Sequence, residues 1–123
     1  EVARLGVDAV KIHNLYIVTA REVARLGVDA VKIHNLYIVK KTPLAMMWEQ
    51  GDVRLMERDE YVETVVDFIE RLPPEMIVER ISGDAPSDYF LAPTWSLDKP
   101  GILLAIEQEF ARRDSWQGKF FGK

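Results

Sequence analysis

The chain has 123 residues, a formal net charge of −4 at pH 7 and the balance of apolar and charged residues of one ordinary globular domain. It contains no cysteine, which excludes disulfides, thiolate zinc sites, iron–sulfur ligation and cysteine nucleophiles within this chain. No basic run exceeds two residues, which disfavours strong binding to a phosphate backbone. With no apolar run of membrane-spanning length and no signal-peptide pattern after Glu1, we expect a cytoplasmic protein with no membrane partner.

Residues 1–18 recur without a single change at residues 22–39. Natural repeats drift, because stacking needs only a pattern and not identical residues. We therefore interpret residues 1–21 as an extra copy of one helix–strand unit. The apolar, β-branched runs predict strands over 7–18 and 28–39, with a short helix over 19–26 between them. Such strands would form a parallel βαβ unit whose crossover has about ten residues, close to the lower limit.

Helices and strands continue to alternate after the repeat. Thr42 as N-cap, Pro43 in the first turn and Gly51 at the end predict a short helix. Apolar residues at three- and four-residue steps predict helices over about 57–72 and 98–113. Residues 76–81 form the next predicted strand, 83–87 a loop at its carboxyl end, and 87–96 an irregular segment. The alternation predicts an α/β fold with right-handed crossovers.

The carboxyl ends of parallel strands hold the active sites of such folds, and Lys32 and His34 stand on one face of a predicted strand near that end. In one interpretation both side chains point into a polar lumen that binds a ligand. In the other they pair with carboxylates such as Glu79 or lie at a sheet edge, since an unpaired buried charge is costly. The sequence leaves both interpretations open.

Gly83 and Asp84 follow the next predicted strand. Gly83 would allow a ligand to approach the backbone closely, and Asp84 could accept hydrogen bonds from ribose hydroxyls. The alternative is an ordinary turn, in which glycine, aspartate and proline are common.

Other familiar chemistry is absent or weakly signalled. The sequence has no phosphate loop, GxGxxG, HExxH or GxSxG motif. The carboxylates between residues 57 and 63 are expected on a solvated helix face. Three aromatic residues of the tail, Trp116, Phe120 and Phe121, either stack on nucleic-acid bases or pack back on the domain.

Three segments together carry a resemblance to a known family: GVDAVKIHNLYIVKKTPLAMMWEQG, EYVETVVDFIERLPPEMIVERISGDAP and APTWSLDKPGILLAIEQEFARRDSWQG. They resemble the C-terminal part of a radical S-adenosylmethionine (radical SAM) protein, from the bacterial branch related to the Elongator catalytic-subunit-like enzymes. The resemblance covers about residues 22–118, which is essentially all of the single-copy sequence.

The resemblance implies that residues 22–123 are the C-terminal part of a partial (β/α)6 TIM-like barrel, with 28–39 as its fifth strand and 76–82 as its sixth. This chain would then be a parallel βαβ half-barrel. A [4Fe–4S] cluster and S-adenosylmethionine are the cofactors implied for the intact protein, but the cluster-binding cysteines are missing here, so no cofactor or metal ligand is expected in this chain. The resemblance places Lys32, His34 and Tyr37 at the lumen or its rim, and Arg80, Gly83 and Asp84 near S-adenosylmethionine or substrate.

Three functions remain open on the sequence. The first is a fragment of an iron–sulfur oxidoreductase that is inactive alone, contains no catalytic residue, and needs the missing N-terminal half-barrel as its partner. The second is an RNA- or tRNA-binding module, by analogy with relatives that modify RNA. The third is an assembly piece that forms a homodimer through an exposed sheet edge or by swapping residues 1–18.

Overall fold

The computed structural model of the chain describes residues 15–84 and 88–123. In chain order the elements are α1 (residues 15–26), β1 (Ala30–Lys32), β2 (Ile38–Val39), α2 (Pro43–Glu49), α3 (Arg58–Glu70), β3 (Ile77–Arg80), β4 (Phe90–Ala92), a 3-10 turn (Thr94–Leu97) and α4 (Lys99–Arg113). This mixture confirms the predicted α/β class. Within the two described ranges, no helix is both long enough and apolar enough to cross a bilayer.

The strands form two separate two-stranded sheets. β1 and β3 are parallel, with Ala30 opposite Ile77 and an irregularity before Lys32. The parts of the predicted strands 28–39 and 76–81 that form β1 and β3 thus lie side by side in parallel, with α3 as the crossover helix between them. β2 and β4 are antiparallel, with Ile38 opposite Ala92. Neither sheet closes into a barrel over the described residues.

Two predicted segments after the repeat differ from the structure. The single strand expected over 28–39 is wrong, because it divides into β1 and β2, which belong to different sheets. The chain leaves the first sheet after Ile33, whose N–H still donates to Arg80 O, and Asn35 then uses its side chain to contact Gly83. The segment expected to be irregular over 87–96 contains β4, which pairs with β2.

The first repeat copy also departs from expectation. Residues 15–18, which were predicted to end a strand over 7–18, are helical and continuous with the predicted helix over 19–26. The remainder of that predicted strand lies outside the described residues. Ala20 is fully buried and Val23 packs against the main core, so tertiary packing of α1 outweighs the strand propensity of Leu-Tyr-Ile-Val.

Helix boundaries follow local capping chemistry. Thr42 accepts a hydrogen bond from Ala45 N at 3.1 Å at the start of α2, and Asp98 accepts one from Gly101 N at 3.1 Å at the start of α4. Glu57 and Glu60 form a reciprocal capping box at the start of α3. The three helices predicted after the repeat are therefore confirmed, with ends set within a turn of the expected positions.

The main core lies between the β1–β3 pair, α3 and α4. Its fully buried members include Val66 of α3, Ile102 of α4 and Leu72, with Val31 and Val78 of the strands packed against them. A smaller second core joins α2 to the β2–β4 sheet through Ile38, Ala45 and Ala92.

An ion-pair cluster at the edge of the main core joins α3 to α4. Arg113 Nη1 donates to Asp67 Oδ1 at 2.7 Å and to Glu70 Oε1 at 3.0 Å, while its Nε donates to Glu109 Oε2 at 2.6 Å. Burial opposes the charge of Arg113, but its hydrogen bonds with Asp67 and Glu109 outweigh that cost and raise the pKa of the guanidinium. Glu70 is only 3% exposed, so Arg113 supplies the main counter-charge for a buried carboxylate.

The backbone of the C-terminal tail packs back on the domain, while its aromatic side chains Trp116, Phe120 and Phe121 stay exposed. Gly118 N donates to Ile69 O at 3.2 Å and Phe120 N donates to Glu70 O at 2.8 Å. Gln117 Nε2 donates to Pro73 O at 2.8 Å and to Met76 O at 2.7 Å. The tail thereby binds the end of α3 and the segment that leads into β3.

Replacing Arg113 with alanine should lower the free energy of unfolding by about 2–4 kcal/mol, because the buried Glu70 would lose the nearer of its two cationic partners and keep only the longer contact with Arg71. Urea denaturation measures the change. Arg112→Ala is the matched control: Arg112 also pairs with Glu109, but its side chain is 67% exposed, and we expect little change. Equal losses for the two variants would contradict a special role for the buried cluster.

Candidate functional site

Polar side chains from the ends of β1 and β3 meet at the carboxyl edge of the parallel pair. Arg80 Nη1 lies 3.5 Å from His34 Nε2, and Arg80 Nη2 lies 3.5 Å from Asp84 Oδ2. Tyr37 Oη donates to the backbone oxygen of Asp84 at 3.4 Å, and Lys99 forms an ion pair with the Asp84 carboxylate. We call His34, Tyr37, Arg80, Asp84 and Lys99 the rim cluster.

Gly83 is buried beneath this cluster. A β-carbon at Gly83 would lie 2.9 Å from His34 Nδ1 and 3.2 Å from Tyr37 Cε1, so the missing side chain makes room for these two rings. The sequence predicted that glycine would let a ligand approach. In the structure the close approach is made by the protein's own His34 and Tyr37, and Gly83 positions the rim cluster from below.

Asn35 fixes the relation between the two strand ends. Its side chain is 7% exposed, and its Oδ1 accepts a hydrogen bond from Gly83 N at 3.2 Å. Asn35 therefore replaces a backbone partner at the point where β1 has already ended. Sequence reasoning missed this role. The only signal for it in the sequence was an amide side chain inside the largely apolar run of residues 28–39.

The break in the strand predicted over 28–39 changes which candidate residues lie close together. A continuous strand would place His34 and Tyr37 on opposite faces. Because β1 ends at Lys32, the chain turns and both rings occupy the space that a β-carbon at Gly83 would need. Lys32 does not join the rim cluster. Its Nζ lies 3.9 Å from Glu79 Oε2, which agrees with the interpretation in which Lys32 pairs with a carboxylate.

The charges of the rim cluster are arranged around one exposed carboxylate. Asp84 is flanked by Arg80 on one oxygen and by Lys99 on the other, and all three side chains are at least 38% exposed. A guanidinium only donates hydrogen bonds, so its contact with His34 needs an unprotonated Nε2. Lys99, in the first turn of α4, was not predicted, because nothing in its sequence neighbourhood distinguishes it from a surface lysine.

A cavity of about 340 Å³ lies next to the end of β1. Its walls come from α1, from the end of β1 and the residues that follow it, from residues 54–56, from α3 and from Trp95. We call it the edge cavity. The residues that define it best are Tyr16, Lys32, His34, Tyr61, Val65 and Phe68.

The floor of the edge cavity is aromatic. Tyr61 and Trp95 have ring centroids 5.2 Å apart, Tyr61 Oη donates to Ile81 O at 2.6 Å, and Trp95 Nε1 donates to Met56 O at 3.0 Å. Burial raises the pKa of the Tyr61 hydroxyl well above its usual range, so Tyr61 remains a neutral hydrogen-bond donor here. The floor is thus a fixed, uncharged surface.

Residues 28–112 match the family model described as the radical SAM C-terminal domain. This chain belongs to that family. It is 44% identical over 120 residues to the uncharacterized protein YtqA of Bacillus subtilis, a match that covers 98% of the chain and 31% of YtqA. It is 40% identical over 122 residues to protein YhcC of Escherichia coli K12, covering 99% of the chain and 32% of YhcC.

A third relative, an uncharacterized protein of Methanocaldococcus jannaschii, is 33% identical over 118 residues, covering 95% of the chain and 30% of that protein. The chain therefore spans about a third of the length of the curated relatives it matches. The five residues of the rim cluster lie within the matched residues 28–112, and most of the length of these relatives has no counterpart in this chain.

Replacing Asn35 with alanine should lower the free energy of unfolding by about 1–3 kcal/mol, because the buried Gly83 N–H loses its acceptor. Thermal denaturation with two-dimensional NMR of the His34 ring measures both the stability and the displacement of the cluster. Leu36→Ala is the control, since that neighbouring side chain is 56% exposed, and it should cost at most about 0.5 kcal/mol. An unchanged His34 signal in Asn35→Ala would contradict the positioning role.

Proposed function

We propose that this chain is the C-terminal part of a radical SAM iron–sulfur oxidoreductase and is inactive without the rest of that protein. The match to the family's C-terminal domain carries the proposal. The geometry supports it, because His34, Arg80 and Asp84 lie together at the carboxyl edge of the parallel strands. That edge is where open α/β sheets bind their ligands.

In this proposal β1 and β3 are the fifth and sixth strands of a partial (β/α)6 barrel. The parallel β1–β3 pair joined by α3 has the geometry of one βαβ unit of such a barrel. The relatives are about three times as long as the matched region, which leaves ample chain for the preceding strands. The partner of this chain is therefore the missing N-terminal half-barrel.

The cofactors of the intact protein would be a [4Fe–4S] cluster and S-adenosylmethionine. A cluster needs cysteine thiolates, and this chain has none. In the portions of the chain that the structure describes, no three histidine, aspartate or glutamate side chains converge to hold a metal ion. The residues present do not fit the cluster, so its ligands belong to the part of the protein outside this chain.

The rim cluster is suited to bind and orient a polar ligand. Asp84 is 59% exposed, and its contacts with Arg80 and Lys99 leave lone pairs free on both carboxylate oxygens. A carboxylate with free lone pairs accepts hydrogen bonds from ribose hydroxyls, as expected for S-adenosylmethionine or a nucleoside. Arg80 and Lys99 fix the orientation of that carboxylate, and Tyr37 fixes the backbone that carries it.

A chimera tests the proposal. YtqA with the part that matches residues 22–123 replaced by those residues should bind an iron–sulfur cluster and release 5′-deoxyadenosine from S-adenosylmethionine under reducing conditions, as YtqA itself should. In the chimera, Asp84→Asn should raise the KM for S-adenosylmethionine or substrate by about tenfold, the loss expected for one charge-assisted hydrogen bond. Asp88→Asn, an exposed aspartate in the same loop, is the matched control.

Three results would count against the proposal: release of 5′-deoxyadenosine by this chain alone, absence of the product from YtqA, or a folded, cluster-loaded chimera that makes none. Equal effects of Asp84→Asn and Asp88→Asn would contradict the role assigned to Asp84 while leaving the family reaction in place.

The C-terminal tail favours a second candidate function, an RNA-binding surface. Trp116 is 56% exposed although the backbone around it is anchored to α3, and Lys119 Nζ lies 5.1 Å from the centre of its ring. Phe121 is 42% exposed on the same tail. Fixed aromatic rings beside a cation are the elements on which unpaired bases stack.

Fluorescence anisotropy with a short single-stranded RNA tests this candidate. Trp116→Ala combined with Phe121→Ala should raise the Kd by about tenfold or more, since each stacked base contributes about 1–3 kcal/mol, and binding should weaken as salt increases. Tyr89→Ala removes an equally exposed aromatic ring elsewhere and is the control. Binding that is absent, or insensitive to both salt and the tail variant, excludes the candidate.

A further inference from the structure

The edge cavity has an apolar interior and a charged opening. Its deeper wall includes Tyr61 and Val65, which are both buried. Lys32 and Arg54 line the same cavity with side chains that are 58% and 63% exposed. Basic side chains of this length place their carbon stems along apolar surface and their charged ends in water. A molecule in the cavity would therefore meet apolar walls inside and cations at the opening.

The charge at this opening has one sign. Lys32 and Arg54 line it, whereas none of the described residues that line the cavity is an aspartate or a glutamate. The chain as a whole has 20 acidic residues against 16 lysines and arginines, so its average surface would predict a negative opening. Basic groups at the opening of an apolar pocket attract a ligand with an anionic group.

The two basic side chains keep hydrogen-bond donors available. Both hydrogen bonds from Arg54 to Glu60 come from its Nη2, so Nε and Nη1 of Arg54 have no acceptor in the described ranges. Lys32 Nζ lies 3.9 Å from Glu79 Oε2, which is close enough for an ion pair and too far for a hydrogen bond. A carboxylate or phosphate can thus bind both side chains while their present ion pairs remain.

Asn35 adds a buried donor to the residues that line the cavity. An amide side chain has two N–H groups on Nδ2. Among the residues that the structure describes, Asn35 Nδ2 donates only to Leu36 O, at 3.3 Å. A buried donor without a partner costs free energy, and an acceptor atom on a ligand would remove that cost.

The interior of the edge cavity favours a planar ring. Tyr61 and Trp95 form a tilted pair that is fixed by their hydrogen bonds to Ile81 O and Met56 O, and Phe68 lines the cavity with them. Aromatic side chains attract a further ring in offset or edge-to-face geometry, beyond the gain from burial alone. The volume of about 340 Å³ lies near the lower end of the range for small-molecule sites, roughly 300–1,000 Å³, which suits a compact ligand.

We propose that the edge cavity binds a small aromatic anion. Its ring would lie against the floor formed by Tyr61 and Trp95, and its carboxylate or phosphate would contact Lys32 and Arg54. This binding does not depend on the proposed radical reaction. His34 belongs to both the edge cavity and the rim cluster, so the bound anion would lie beside the site proposed for a ribose hydroxyl. That position makes the anion a substrate for the proposed reaction, and this last step alone rests on the proposed function.

Two-dimensional NMR of the tryptophan indole N–H groups tests binding by the whole chain, without a cluster or S-adenosylmethionine. Indoleacetate should shift the Trp95 signal saturably, with a Kd of about 1 mM or tighter, which is the affinity expected for a compact ligand of this size. The Trp116 signal, from the exposed tail, should stay in place and serves as a reference in the same spectrum. Phenyl phosphate, tested in parallel, shows whether a phosphate serves as well as a carboxylate.

Three related probes separate the contribution of the ring from that of the charge. Indoleacetamide has the same ring without the charge, tryptamine carries a positive charge on that ring, and hexanoate has the negative charge without a ring. Each should bind at least about tenfold more weakly than indoleacetate, because each loses either the charged contacts or the aromatic ones.

Charge-matched variants locate the anionic group. Lys32→Met with Arg54→Gln removes two positive charges from the opening and should raise the Kd for indoleacetate by at least about tenfold. Lys40→Met with Arg25→Gln removes the same charge from exposed residues that do not line the cavity, and should leave the Kd unchanged. Arg25 is a close match for Arg54, since it also pairs with a glutamate. If either variant unfolds, the probe series on the unaltered chain decides.

Several outcomes would overturn the proposal. They are no saturable shift of Trp95 with either indoleacetate or phenyl phosphate, equal binding of indoleacetate and any of the three related probes, and equal loss of binding in the two charge variants. A shift of Trp116 in place of Trp95 would assign the ligand to the tail, which also overturns it. Binding by this chain together with an inactive chimera would support this inference and contradict the proposed function, and absent binding with an active chimera would do the reverse.

Discussion

The packing of α3 across the parallel strands β1 and β3 is the interaction on which the rest of the structure depends. Parallel strands need a crossover helix, and this helix buries Val65 and Val66 against Val31 and Val78. Each such buried side chain contributes about 1.5–3 kcal/mol relative to exposure. Because α3 covers only one face, the carboxyl edge and the opposite face remain accessible, which is why the rim cluster and the Lys32–Glu79 pair lie where they do.

The parts of the fold that sequence reasoning predicted are those set by local chemistry. Thr42, Pro43 and Asp98 fixed the beginnings of two helices because a cap needs only its own first turn. The sequence Leu-Tyr-Ile-Val shows that local chemistry does not determine every element. It is helical at 15–18, whereas at 36–39 its last two residues form strand β2. The state of these residues depends on the segment that contains them: in one case α1, which is held to the domain by the buried Ala20 and by Val23, and in the other β2, which pairs with β4.

The candidate site was predictable to the extent that a general rule of parallel sheets applied. His34, Arg80 and Asp84 meet because both strands end at the same edge, which the order of elements already implied. The role of Asn35 was missed because it depends on a contact with a residue 48 positions away. The role of Lys99 was missed because it depends on the first turn of α4 lying beside Asp84. Nothing in their own neighbourhoods specifies either distance.

The tail makes the end of α3 depend on a segment far along the chain. The last carbonyls of a helix have no partner within the helix, and here Ile69 O and Glu70 O receive theirs from Gly118 and Phe120. The Ser115 hydroxyl, 45 residues beyond Glu70, donates to the buried carboxylate of that glutamate. The C-terminal turn of a central helix is therefore a sensor of tail docking: whenever the tail detaches, two helix carbonyls and one buried carboxylate lose partners at the same time.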